Sequence, residues 1–226
     1  MGNILINYVD ANMKQFHAKL IDWNLVTFYY PGHEEVGRKG TVCYYPPEQL
    51  FRSNFPTPAI DIFALASVMF TYITGKNPYP TKCKDHNLKA ICGLVGGERI
   101  FEAVKKYNWQ IPDFDDYILK IMKDPKICSG ISLMDRVPPK DENLFDKDLI
   151  NLFEGMLEPD PEHRLTISEV INHPYFERVK KLPPMYSEKD DAKKDENEKS
   201  KKMPADNLLP ALAPSGLTEF MEEKNI

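Results

Sequence analysis

Asn3, Asp22, Thr41, Glu48, Asp61 and Arg164 are the side chains of this 226-residue chain whose types and settings could carry chemistry or hold a site together. Asp22 follows the apolar run Leu20-Ile21, and Asn3 precedes Ile4-Leu5. A hard cation takes carboxylate and amide oxygens, and an aspartate at the end of a buried strand offers one at a fixed place. Taken singly, Asp22 and Asn3 read better as turn residues than as metal ligands. Thr41 reads as a loop threonine, and Asp61 as a helix-start aspartate favoured by the helix dipole. Cys43, Cys83, Cys92 and Cys128 are scattered without a CxxC pair. That argues against a zinc site and for reduced, structural thiols.

The elements that must position these residues can be read from period and punctuation. Gly2 to Tyr8 and His17 to Asp22 are short β-type runs joined through the turn residues Asp10-Ala11-Asn12-Met13, so a hairpin is expected. Asn24 to Tyr45 has no sustained period and is punctuated by Pro31-Gly32, Gly37 and Gly40, which predicts one long loop. Pro58 to Thr74 is apolar on nearly every face, the mark of a buried central helix closed by Gly75 and Pro78. Asp61 inside it and the lack of flanking basic residues oppose a membrane span. Helices are also expected over Asn87–Val95, Glu98–Tyr107 (separated by Gly96-Gly97) and Asp113–Lys123, with Asp124–Asn143 irregular. Phe145–Leu157 carries the stripe Leu149, Phe153, Met156, Leu157, and Thr166–Asn172 opens with Thr166 and Glu169 spaced as a capping box.

Composition limits the function classes. Hydrophobic residues are 42%, charged residues 28% and the net charge is -5, ordinary for a globular domain and contrary to nucleic-acid binding driven by phosphate neutralisation. No apolar run is long enough to span a bilayer, and no leader pattern is seen at the N-terminus. A cytoplasmic or nuclear setting is the expectation. Ser187 to Lys202 holds six acids and six lysines in sixteen residues. Such a run cannot bury enough surface to offset ordering entropy, so residues 187–226 are expected to be a disordered charged tail behind a domain of residues 1–186.

Several motifs stand in the order of a protein kinase C-terminal lobe. Gly2-Asn3-Ile4-Leu5 resembles the end of the catalytic loop. Asp22-Trp23-Asn24 resembles the metal-binding Asp-Phe-Gly triplet. Gly40-Thr41 through Tyr45-Pro46-Pro47-Glu48 resembles the close of the activation segment. Asp61-Ile62-Phe63-Ala64-Leu65-Ala66 is similar to the opening of the central helix, and Asp160-Pro161-Glu162-His163-Arg164 with His173-Pro174-Tyr175-Phe176 to the end of the lobe. The tryptophan in the triplet, Phe28-Tyr29-Tyr30-Pro31-Gly32 and Gly97-Glu98-Arg99-Ile100-Phe101 resemble the casein kinase II α subunit. The resemblance covers roughly Gly2 to Glu177.

The resemblance implies a mainly α fold: a kinase C-lobe with one short β-hairpin and the N-lobe absent. It implies ATP-dependent phosphoryl transfer to protein serine or threonine. Asp22 would be the main Mg²⁺ ligand and Asn3 the second. Leu5 and Ile21 would floor the adenine, and Thr41 would position base and substrate. Glu48 and Arg164 would form a buried ion pair, and Asp61 would accept backbone N–H bonds from the catalytic loop. The partners implied are protein substrates and a regulatory subunit held by the small lobe. No His-Arg-Asp and no Gly-rich loop occur among the 226 residues. The chain alone is therefore expected to be inactive, a fragment of a longer kinase; the alternative is a non-catalytic, pseudokinase-like scaffold. Asn24 stands for the glycine of the triplet and Ala66 for that of the helix. Arg38 matches one basic activation-segment residue, whereas Val42 and Tyr45 stand where two others are expected, so a preference for acidic substrates does not follow.

Overall fold

The computed structural model describes residues 2–8, 16–33, 40–51, 53, 57–78, 84–109, 120, 122–124 and 133–177. They fall into two units. One contains the N-terminal residues to Asp22, and the other runs from Trp23 to Tyr175.

The first unit carries β1 (Ile4–Tyr8) and β2 (Phe16–Leu20), an antiparallel pair in the register Ile4↔Leu20, Ile6↔Ala18, Tyr8↔Phe16. The expected strand pair is present, its second strand starting one residue and ending two residues before the expected bounds. Its turn, Asp10–Met13, lies outside the described residues.

The second unit is helical. Its fully described α-helices are α1 (Pro47–Leu50), α2 (Ala59–Thr74), α3 (Lys84–Val95), α4 (Gly97–Tyr107), α5 (Lys147–Met156) and α6 (Ile167–Ile171). Helix α2 is the centre. Phe63, Ala66 and Phe70 are fully enclosed. Its three buried hydroxyls find partners one turn back: Ser67 donates to the Phe63 carbonyl (3.2 Å), Thr71 to Ser67 (2.7 Å) and Thr74 to Phe70 (2.8 Å). These bonds let polar residues sit in the core without an unmet donor. Gly75 ends the helix at φ 72°, where its N–H reaches the Thr71 carbonyl. The stripe expected on α5 is buried, and Phe153 meets Phe70 and Phe145 with ring centroids 5.9 Å away in both cases. Asp146 caps α5 by accepting from Leu149 N–H at 2.9 Å.

Gly96 (φ 91°) separates α3 from α4, and Asn108 (φ 49°) closes α4. Two differences from the sequence reading stand out. Helix α3 begins at Lys84 instead of Asn87, and the segment expected to be irregular contains 3-10 turns at Leu133–Arg136 and Pro139–Leu144. A further 3-10 turn, Val42–Tyr44, interrupts the long loop. Most of the helix expected over Asp113–Lys123 and the tail at 187–226 lie outside the described residues. Within the helical unit, Trp23, Leu25, Val26, Phe28, Tyr29 and Tyr30 are exposed, Phe28 at 86%. No described helix is long and apolar enough to cross a membrane.

Candidate functional site

In the hairpin unit, the Ile21 N–H donates to the Asn3 carbonyl at 2.9 Å, extending the strand pairing by one step. Asp22 then turns into left-handed backbone at φ 65°, a region open to aspartate more readily than to branched residues. That turn directs its carboxylate toward Asn3, whose Nδ2 lies 3.4 Å from Asp22 Oδ2. A carboxylate and a side-chain amide therefore meet at the open end of the hairpin. Rotating the amide by half a turn presents its oxygen in place of its nitrogen, giving two hard oxygen donors side by side. Among the described residues no group of three His, Cys, Asp or Glu converges as a metal site. A Mg²⁺ held here would complete its shell with water and phosphate oxygens, as this ion ordinarily does. Leu5 and Ile21 are exposed on the same unit.

In the helical unit, Thr41 is exposed and its carbonyl accepts the Tyr44 N–H at 2.9 Å, opening the turn before α1. Gly40 (φ 105°) supplies the backbone conformation that lets its carbonyl accept from the Tyr45 hydroxyl at 3.3 Å. Burial, with the neighbouring Cys43, pushes the Tyr44 hydroxyl pKa up.

Glu48 on α1 and Arg164 are 2% and 3% exposed. Arg164 donates to both Glu48 carboxylate oxygens, at 2.7 and 3.0 Å. The guanidinium also donates to the carbonyls of Ala59 (2.8 Å) and Glu158 (2.8 Å) and lies 4.9 Å from the centroid of the Phe63 ring. A planar fork meeting a carboxylate with two parallel bonds is the strongest form such a pair takes. It joins the end of the loop, the start of α2 and the turn before α6. Asp61, in the first turn of α2, is exposed, and the surrounding protein pushes its carboxyl pKa up by desolvation.

The sequence reading missed a second polar cluster. Asp160 accepts from the Tyr107 hydroxyl (2.6 Å), from Lys106 Nζ (2.9 Å) and from the Glu162 N–H (3.0 Å). Burial alone would raise its carboxyl pKa, but these donors hold it below the usual range. The Tyr107 hydroxyl, desolvated and bonded to Asp160, is pushed up to about 12. Arg99 pairs with Glu158 beside it. These contacts bind α4 to the turn that carries Arg164. Only their distance in sequence hid them, since no local spacing links Tyr107 to Asp160.

A family model described as the protein kinase domain matches residues 1–176. The chain belongs to the protein kinase family. Among curated proteins, this kinase chain is similar to a probable serine/threonine-protein kinase of Dictyostelium discoideum, 26% identical over 158 residues. The match covers 70% of the kinase chain and 25% of that relative, so the chain spans about a quarter of the relative's length.

Proposed function

We propose that the chain is part of a serine/threonine protein kinase similar to casein kinase II, carrying the metal-binding hairpin and the activation segment of that enzyme. The observation that carries this reading is the apposition of Asp22 and Asn3 at 3.4 Å at the end of the β1–β2 pair. Phosphoryl transfer needs cations over the phosphates, an oriented hydroxyl and charge neutralisation, and little covalent chemistry from the protein. Asp22 and Asn3 would hold Mg²⁺, and Mg²⁺-ATP would supply the transferred γ-phosphoryl group. Leu5 and Ile21 would lie under the adenine. Thr41, at the start of a turn anchored through Glu48 and Arg164, would position the acceptor hydroxyl of a protein substrate. The tryptophan of Asp22-Trp23-Asn24 and the α4 sequence Gly97-Glu98-Arg99-Ile100-Phe101 support the casein kinase II assignment. A base and a phosphate-covering loop would have to come from residues other than these.

Two measurements test the reading. Mn²⁺, a paramagnetic stand-in for Mg²⁺, should broaden the NMR signals of Asn3 and Asp22 before others, and Asp22→Ala should abolish the effect. The 226 residues alone should show no transfer from labelled ATP to serine peptides. Transfer that depends on Mg²⁺ and Asp22 would refute the need for further residues, and absence of Mn²⁺ broadening would refute the metal site itself.

A further inference from the structure

The turn that holds Thr41 runs straight into α1, so whatever fixes α1 fixes the turn. The Tyr44 and Tyr45 N–H groups donate to the Thr41 and Val42 carbonyls at 2.9 and 3.1 Å, and those of Leu50 and Phe51 close α1 on the Pro46 and Pro47 carbonyls at 3.2 and 2.9 Å. Helix α1 has four residues. A single turn of that length takes its order from tertiary contacts. Glu48 supplies one through Arg164. Phe51 supplies another: fully buried, it stacks on Trp109 with ring centroids 6.4 Å apart and planes 14° from parallel. Trp109 in turn stacks on Tyr107, at 5.3 Å and 16°.

Both anchors of α1 return to one residue. The Tyr107 hydroxyl donates to Asp160 Oδ1 at 2.6 Å, and the Asp160 carbonyl accepts the Arg164 N–H at 3.0 Å. A closed circuit results, from Glu48 through Arg164, Asp160, Tyr107 and Trp109 to Phe51 and back along α1. Ring stacking alone would be served by phenylalanine at position 107. The hydroxyl adds a directional bond to a carboxylate, a stronger kind than a bond between neutral groups, and ties the ring to the turn that carries Arg164. We propose that Tyr107, acting through Trp109 and Phe51, is a positioning residue for the Thr41–Tyr45 turn that would receive a protein substrate, a role that rests on the kinase reading of Thr41. Without the hydroxyl, Tyr107 is free to shift, Trp109 follows, and α1 keeps only the Glu48–Arg164 tie.

Amide hydrogen exchange in the full chain separates positioning from general stability. Tyr107→Phe should speed exchange at Tyr45, Leu50 and Phe51 about tenfold and leave Leu157 and Val170, which donate to the Phe153 and Thr166 carbonyls, within about twofold. Trp109→Leu should act on the same amides, and Trp109→Phe, which keeps a ring in the stack, should return them to within about threefold of the parent. Arg99→Met removes another tie of α4 to the same turn, the pair with Glu158, and should leave Leu50 and Phe51 unchanged. A uniform rise at all protected amides in Tyr107→Phe would reduce Tyr107 to a stability role. Unchanged exchange in α1 would show that the hydroxyl is not felt there, and an equal effect of Arg99→Met would assign it to the docking of α4 as a whole; each of these overturns the proposal. Should Tyr107→Phe fail to fold, exchange of the unsubstituted chain in low urea decides: Trp109, Leu50 and Phe51 must open as one unit with a common urea dependence, and separate openings overturn it. No metal or phosphoryl transfer enters these measurements, so their failure leaves the Mn²⁺ result at Asp22 standing, and the reverse holds as well.

Discussion

Arg164→Met should be among the most damaging single substitutions in the helical unit. It removes a guanidinium that is 3% exposed and leaves the Glu48 carboxylate, 2% exposed, without its cation. It also leaves the Ala59 and Glu158 carbonyls without a donor. Breaking one side of a buried ion pair typically costs ~3–5 kcal/mol, because a charge is left uncompensated in a poorly solvating interior. For a unit of about 150 residues, each kcal/mol lowers Tm by roughly 2–4 °C, so a fall of ~6–20 °C is expected. Removing both charges together, as Glu48→Gln with Arg164→Met, takes away the uncompensated carboxylate as well. That double variant should recover at least ~2 kcal/mol relative to the sum of the single losses. Urea unfolding followed by Trp109 emission and by circular dichroism measures all three variants. A loss below ~1 kcal/mol for Arg164→Met, or strict additivity in the cycle, would refute the argument that this pair is closed to water and held as a unit.

The remaining expectations concern smaller features. Thr166→Ala removes the hydroxyl that accepts the Glu169 N–H at 3.3 Å and should cost about 1 kcal/mol in urea unfolding. Gly155→Ala places a Cβ 2.6–2.8 Å from Leu165 side-chain atoms, so it should destabilise by ~1–3 kcal/mol despite the better helix propensity of alanine, and Leu165→Ala should relieve much of that loss. Asp160 has a depressed folded pKa, so its stabilisation is present above the unfolded value of about 3.9 and lost as pH falls through the folded one. Asp160→Asn should therefore lower stability at pH 7 and flatten the stability–pH curve in that acid window. Phe28→Ser, at a side chain 86% exposed, should change stability by less than ~0.5 kcal/mol and reduce light scattering on concentration.

Local signals were legible in the sequence. The Thr166–Glu169 spacing announced a capping box, and the structure contains both of its hydrogen bonds, because the device is complete within four residues. The apolar density of Pro58–Thr74 announced α2, and Gly75 its end. Helix α3 starts three residues before the expected Asn87 because Lys84-Asp85-His86 supply no apolar period to announce it. The 3-10 turns at Leu133–Arg136 and Pro139–Leu144 were obscured by prolines, which signal a break whether or not a short turn forms between them. Motif order brought Glu48 together with Arg164 and Asn3 with Asp22. It could not reach the hold of Tyr107 and Lys106 on Asp160, nor the stack of Trp109 on Phe51, since both depend on how distant segments meet.

The bond between Glu48 and Arg164 joins residues 116 positions apart. Ribosomes add roughly 5–20 residues per second, so the glutamate emerges about 6–23 s before the arginine that neutralises it. During that interval the loop before α1 has no anchor, and the apolar face of α2 has formed without the α5 residues that cover it. A nascent chain of this design is exposed to chaperones and to aggregation until its final turn leaves the ribosome. Slow codons or a pause placed between the two residues would lengthen that window, and substitutions that speed early docking of α2 would shorten it.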